Sequence, residues 1–68
     1  MDTDLELVFM AWEQWDTVIN PEDGVDLEKK FYDAVDSFLA SKGLGKMSRA
    51  DFLRHARKGY ARWRLRKH

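Results

Sequence analysis

The chain has 68 residues, no cysteine, and 12 acidic against 12 basic side chains, so its formal net charge is zero. This length predicts one small domain over residues 1–68, and the lack of cysteine excludes disulfides and thiolate metal sites. No apolar run approaches the roughly 20 residues that a membrane-spanning helix needs, and the acidic start differs from a basic secretory signal. We therefore expect a soluble, cytoplasmic protein.

The zero net charge hides a separation between the two halves of the sequence. Residues 1–41 contain eleven acids and two bases, whereas residues 42–68 contain one acid and ten bases. Such asymmetry is typical of chains that use one half as an interaction surface. The same pattern is also expected if the two halves attract each other within the fold or in a head-to-tail dimer.

The first helix is predicted from Asp4 to about Ile19, residues 4–19. Thr3 and Glu6 have the spacing of a capping box, in which each side chain satisfies a backbone N–H at the helix start. Apolar residues at steps of three and four define its inner face: Leu5, Val8, Trp12, Trp15 and Ile19. More than half of the helix surface is apolar, so the helix is either central in its bundle or has a second partner. The candidate apolar partner surface consists of Leu7, Met10, Trp15 and Val18.

The second helix is predicted over residues 27–42, after a turn formed by the segment "NPEDGV". Pro21 disfavours helical geometry at the residue before it, Gly24 can adopt a positive φ, and Asp26 is the expected N-cap. At the other end, Gly43 fits the left-handed position of a Schellman motif, with Leu44 as the apolar residue that follows it.

The third helix is predicted over residues 49–66. Ser48 is its expected N-cap, and Met47 and Phe52 have the spacing of a hydrophobic staple. Gly59 lies in mid-helix, where it would permit a close approach by a neighbouring helix. The inner face is formed by Phe52, Leu53, Ala56, Tyr60 and Trp63. Three amphipathic helices with short connections and no strand pattern predict an all-α fold, a compact three-helix bundle.

The basic face of the third helix is a candidate for a contact with phosphates or with the acids of a protein partner. Its cationic residues are Arg54, Arg57, Lys58, Arg62, Arg64, Arg66 and Lys67. Cations beside aromatic rings are typical of nucleic-acid binding. However, Tyr60 and Trp63 have the spacing of core residues, and cations are favoured at any helix C-terminus by the helix dipole. The cations could equally bind the acidic half of the same chain.

The sequence gives little support for catalysis, a metal or a cofactor. It contains no cysteine nucleophile, no glycine-rich phosphate loop and no G-x-S-x-G elbow. The acid-rich segment "PEDGVDLE" lacks the ligand order of a calcium loop. His55 lies four residues after Asp51, a spacing more typical of a local ion pair than of a metal site. We expect no catalytic, metal-binding or cofactor-binding residues and no small-molecule substrate.

These observations predict a small non-catalytic helical interaction module. It would bind a protein partner or a second copy of itself through the first helix and the charge-segregated faces. The alternative is a nucleic-acid-binding accessory protein that uses the basic face of the third helix. No membrane partner is expected.

Overall fold

The computed structural model describes residues 3–67 and confirms the predicted all-α three-helix bundle. Helix α1 spans Thr3–Asp16, α2 spans Pro21–Ser41 and α3 spans Arg49–Lys67, with short connections between them. No strand occurs among these residues. Thr3, the expected N-cap of the first helix, is itself helical, and Asp2, one of the acids of the first half, lies outside the described residues.

Helix α1 ends at Asp16, three residues before the predicted end. The Thr17 hydroxyl donates to the Glu13 carbonyl at 2.7 Å, and the Val18 amide bonds the Trp15 carbonyl at 3.3 Å, which tightens the last turn. The helix cannot continue because the chain must turn before α2 begins. Ile19, which the periodicity placed on the inner face, is therefore 95% exposed.

The start of α2 corrects the prediction of a turn over residues 20–25 with an N-cap at Asp26, because the helix already begins at Pro21. A proline at the first helical position loses no hydrogen bond, and its fixed φ suits the helix. Asn20 is extended, with φ −87° and ψ 116°, and its side chain accepts a hydrogen bond from the Glu22 amide at 3.1 Å. Asn20 is thus the N-cap, while Gly24 and Asp26 lie inside the helix.

The connection between α2 and α3 follows the sequence prediction closely. Gly43 has a φ of 72°, and its amide bonds the Ala40 carbonyl at 3.3 Å. The Leu44 amide bonds the Leu39 carbonyl at 2.7 Å, which completes the Schellman motif. Ser48 caps α3 by accepting a hydrogen bond from the Asp51 amide at 3.1 Å.

Large aromatic side chains from all three helices form the core. Trp12 of α1 stacks on Tyr60 of α3, with ring centroids 4.2 Å apart and planes within 3° of parallel. Gly59 of α3 lies against Phe9 of α1, where a Cβ atom would just reach van der Waals contact with the ring at 3.4 Å. The buried residues are Val8, Phe9, Trp12, Phe31, Val35, Leu39, Phe52, Tyr60 and Trp63. Within residues 3–67, no helix is both long enough and apolar enough to cross a membrane.

Candidate functional site

The cations of α3 fall into an inner and an outer set, and the inner set binds the acids of α1. Lys67 Nζ lies 2.8 Å from Glu13 Oε1, and Arg64 Nη1 lies 3.0 Å from Asp16 Oδ2. Arg64 also approaches Glu13, with Nε 3.7 Å from Oε2. These cations follow the buried rings of Tyr60 and Trp63 by one helical turn, so they emerge at the edge of the core, where α1 presents its acids.

Tyr60 joins this inner ion-pair cluster from the core side. Its hydroxyl donates to Asp16 Oδ2 at 3.3 Å. Burial, followed by the negative charge of Asp16, raises the pKa of Tyr60 to about 12, although Arg64 acts in the opposite direction. The phenol is therefore a permanent hydrogen-bond donor at neutral pH.

Two further ion pairs connect the acidic half to the basic half. Arg49 donates from Nε and Nη2 to the two carboxylate oxygens of Asp36, at 3.0 and 2.6 Å, in a bidentate arrangement. The Arg49 hydrogen bonds lower the pKa of the Asp36 carboxyl. Lys42 Nζ lies 3.7 Å from Asp4 Oδ2. Part of the charge separation in the sequence is therefore neutralised inside the molecule.

The outer set contains Arg57 and a stripe of three cations on α3. Lys58, Arg62 and Arg66 follow at i, i+4 and i+8, so they lie one above another on the helix surface. All four residues are exposed, and none has an acidic partner among residues 3–67. Like charges at this spacing repel each other. Arg54, in contrast, is paired with Asp51 on its own helix.

An exposed ridge, which begins at Arg57 and is apolar at Ala61 and Leu65, runs beside the cationic stripe. Arg57, Ala61 and Leu65 follow at i, i+4 and i+8, and the Leu65 side chain is 80% exposed. We call the stripe and this ridge together the outer face of α3. The outer face borders an open groove of about 870 Å³ between α1 and α3. The groove is lined by Trp12, Asp16, Arg57, Tyr60, Ala61, Arg64 and Leu65.

The groove therefore combines an aromatic floor with charged walls. Its floor is the stacked pair Trp12 and Tyr60. Arg64 is held by acids of α1, whereas Arg57 is free of ion pairs within the described part of the chain. The groove therefore places the exposed side chain of Leu65 beside a cation, Arg57, that has no acidic partner among residues 3–67.

The structure divides the predicted apolar partner surface. Leu7 and Met10 are exposed, but they line separate depressions, the first beside Phe38 and the second beside Trp63. Trp15 is half-buried and stacks on Phe31, with ring centroids 5.3 Å apart. Val18 is half-buried beside Gly24. The four residues do not form one continuous patch.

The described residues 3–67 contain no group of three or more histidine, aspartate or glutamate side chains that could hold a metal ion. Asp51, which shares a helix face with His55, is engaged by Arg54.

Two features of the surface were missed by sequence reasoning. The groove was missed because it depends on how α1 crosses α3, although the apolar spacing of Ala61 and Leu65 among cations was a visible signal. The exposed first turn of α2 was missed because Pro21 was interpreted as a helix breaker. The pair Asn20–Pro21, an N-cap residue followed by a proline at the first helical position, was the signal that could have found it.

Comparison of the chain with protein-family models, with curated proteins and with solved structures finds no match in any of the three. The function must therefore be inferred from the geometry of the molecule itself.

Proposed function

We propose that the chain is a non-catalytic helical interaction module that binds an acidic surface of a protein partner through the outer face of α3. The observation that carries the proposal is the stripe Lys58, Arg62 and Arg66, which lacks acidic partners among residues 3–67 and lies beside the exposed Leu65. Repulsion within the stripe costs stability that a partner's carboxylates would recover. Attraction between the cationic stripe and the carboxylates of a partner also steers association.

The apolar content of the outer face favours a protein over a nucleic acid. Tyr60 and Trp63, the aromatic rings nearest the cations, are buried in the core and cannot stack on bases. An exposed leucine gains free energy when an apolar surface covers it. A phosphate backbone offers charge but no such surface. The best-fitting partner is an amphipathic acidic helix, which offers carboxylates and apolar side chains at the same spacing as α3.

Nucleic-acid binding is the second candidate, and the cationic stripe is the observation that favours it. Three cations at successive helical turns can each contact a phosphate without reading sequence. On that alternative, Leu65 contributes nothing to affinity, because phosphate contacts alone supply the binding energy.

Fluorescence anisotropy with labelled probes separates the two candidates. The first probe is a helical peptide of about 20 residues with glutamate and leucine at i, i+4 spacing. Its matched control has the leucines replaced by serine. The remaining probes are single-stranded RNA and duplex DNA of equal charge. We expect the leucine peptide to bind at least about tenfold more tightly than its serine control, a difference of about 1.4 kcal/mol.

Variants of the protein assign the binding to the outer face of α3. Arg62→Glu and Leu65→Gln should each weaken the leucine peptide, whereas Lys46→Glu, an exposed lysine outside this face, should have a small effect. The protein-partner proposal is lost if neither peptide binds at low salt. It gives way to the nucleic-acid alternative if RNA or DNA binds more tightly, with a steep salt dependence and no effect of Leu65→Gln.

A further inference from the structure

A second surface of the molecule has the complementary chemistry to the outer face of α3. Ile19, at the turn before α2, is 95% exposed, and Val25, in the first turns of α2, is 72% exposed. Two acids of α2 accompany them. Glu22 shares a helix face with Val25 and Asp26, which follow it by three and four residues. We call this group the acidic corner; its members are Ile19, Glu22, Val25 and Asp26.

The acidic corner and the outer face of α3 share the most exposed large hydrophobic side chains of residues 3–67. These are Ile19, Leu65 and Val25. Leu65 lies among cations, whereas Ile19 and Val25 are accompanied by Glu22 and Asp26, with Lys29 one turn beyond Val25. Each surface therefore offers apolar atoms together with the charge that the other lacks. Complementary charge around an apolar contact favours the correct pairing and disfavours other pairings.

The acidic corner also begins close to one wall of the groove. Asp16 lines the groove, and Ile19 follows it by three residues, so their Cα atoms are at most about 11 Å apart. Two adjacent patches of opposite charge form a surface that is complementary to itself when one copy is rotated by 180°. A two-fold interface uses this arrangement, because each residue contact then occurs twice.

We infer that the chain forms a two-fold dimer in which the acidic corner of each copy binds the groove and outer face of α3 of the other copy. Ile19 enters the groove beside Leu65, and Glu22 and Asp26 face Arg57 and Arg62. The dimer uses the outer face of α3, so this inference rests on the function proposed above. The protein partner is then a second copy of the same chain.

A charge-swap experiment tests the dimer with the full chain. One variant carries Glu22→Lys and Asp26→Lys, and the other carries Arg57→Glu and Arg62→Glu. Sedimentation velocity is run at low salt from about 10 μM to about 1 mM, the range that reports dissociation constants in the micromolar region. We expect the unmodified chain to shift from monomer to dimer, each variant alone to stay monomeric, and their equimolar mixture to form a dimer again.

Matched controls distinguish lost binding from lost folding. Asp33→Lys and Lys46→Glu change exposed charges outside both surfaces and should weaken dimerisation much less than the charge-swap variants, because neither residue lies in the proposed contact. Circular dichroism checks the helicity of every variant. If a charge-swap variant loses helicity, Ile19→Ser and Leu65→Gln replace it, because both side chains are exposed and contribute little to the core. Either change should weaken dimerisation at least about tenfold.

Three outcomes would overturn the dimer. They are a monomer at the highest concentration, a mixture of the two charge-swap variants that remains monomeric, and a series of larger oligomers, which indicates an open head-to-tail chain. The leucine peptide then shows which proposal has failed. A monomer that binds this peptide in a manner dependent on Leu65 removes only the dimer, whereas a monomer that does not bind it removes the proposed function as well.

Discussion

The inner and outer sides of α3 carry the same residue types but have opposite relations to the rest of the molecule. On the inner side, Arg64 and Lys67 are bound by the acids Glu13 and Asp16 of α1. On the outer side, Arg62 and its neighbours have no acidic partner within residues 3–67. The positive charge of a helix therefore indicates function only after the cations that pair with acids of the same fold have been identified and set aside.

The apolar residues of the two sides differ in the same way. Trp63 is buried against Phe9, with ring centroids 5.9 Å apart, whereas Leu65 is exposed two residues later. The inner side of α3 holds the bundle together through large rings, and charges close its edge. The outer side makes fewer contacts with the rest of the fold, so it should contribute less to stability. The predictions below test this division, from the largest expected effect to the smallest.

Replacement of Trp63 should have the largest effect on stability. Trp63→Ala removes a buried ring that contacts α1 and should cost about 3–5 kcal/mol. Small domains have about 5–15 kcal/mol in total, so the variant should be close to unfolding. Leu65→Ala is the matched control and should change stability by less than about 0.5 kcal/mol. Urea denaturation followed by circular dichroism measures both, and similar costs for the two variants would contradict the division of α3.

The sequence was sufficient to predict the parts of the fold that depend on local chemistry. Ser48 caps α3 because its hydroxyl accepts a hydrogen bond from a nearby amide. Gly43 ends α2 because its backbone can adopt the positive φ that this position requires. The buried positions of Trp12, Tyr60 and Trp63 follow from helical spacing. Each of these features is determined within a few residues along the chain.

The sequence was insufficient where two distant segments had to be placed together. Helical spacing places Arg64 nearer the core than Arg62, but its pairing with Asp16 depends on where α1 lies, which no local pattern states. For the same reason, no local pattern could show that Trp15 stacks on Phe31 while Met10 remains exposed. The early start of α2 is a different kind of miss, because the N-cap Asn20 before Pro21 was locally visible.

Gly59 tests how closely α1 and α3 approach each other. A valine side chain there would collide with the Phe9 ring, because even a Cβ atom lies 3.4 Å from that ring, so Gly59→Val should cost about 1–3 kcal/mol. Gly59→Ala adds only the Cβ atom and gains helix propensity, so its stability should equal or exceed the original by up to about 1 kcal/mol. Thermal unfolding compares the two variants. Equal effects of alanine and valine would show that the contact is loose.

The contact between Tyr60 and Asp16 should appear as a loss of stability in alkali. The pKa of Tyr60 rises from its ordinary value of 10.0 to about 12 in the folded protein. Between these values the unfolded chain releases the phenolic proton and the folded protein retains it, so stability falls as pH rises from about 10 to 12. Asp16 is itself half-exposed, so we expect a loss of about 1–2 kcal/mol, less than the full pKa shift implies.

Tyr60→Phe isolates this effect because it removes the titrating group and keeps the stacked ring. The variant should lose less stability than the original protein between pH 10 and 12, as measured by urea denaturation at each pH. Below pH 10, the two proteins should show parallel pH dependence. If both proteins lose the same stability in alkali, the phenol of Tyr60 does not titrate in the way that its position implies.

The smallest effects compare the two sides of α3 directly through Arg64→Gln and Arg62→Gln. Arg64→Gln removes the ion pairs with Asp16 and Glu13 and should cost about 0.5–1 kcal/mol at low salt. Arg62→Gln removes repulsion from Lys58 and Arg66, so it should be neutral or stabilise by up to about 0.5 kcal/mol. In 1 M salt, where the Debye length falls to about 3 Å, the two variants should become nearly equal.

The sign of the Arg62 effect decides whether the outer face is available for binding. Neutralising a cation that already has an acidic partner within the fold destabilises the protein, as Arg64→Gln should. If Arg62→Gln costs as much as Arg64→Gln, and salt abolishes both costs, then the outer stripe is already neutralised in the folded chain. Its charges would then serve the fold, and the binding surface would have to be sought elsewhere, first at the exposed Leu7 and Met10 of α1.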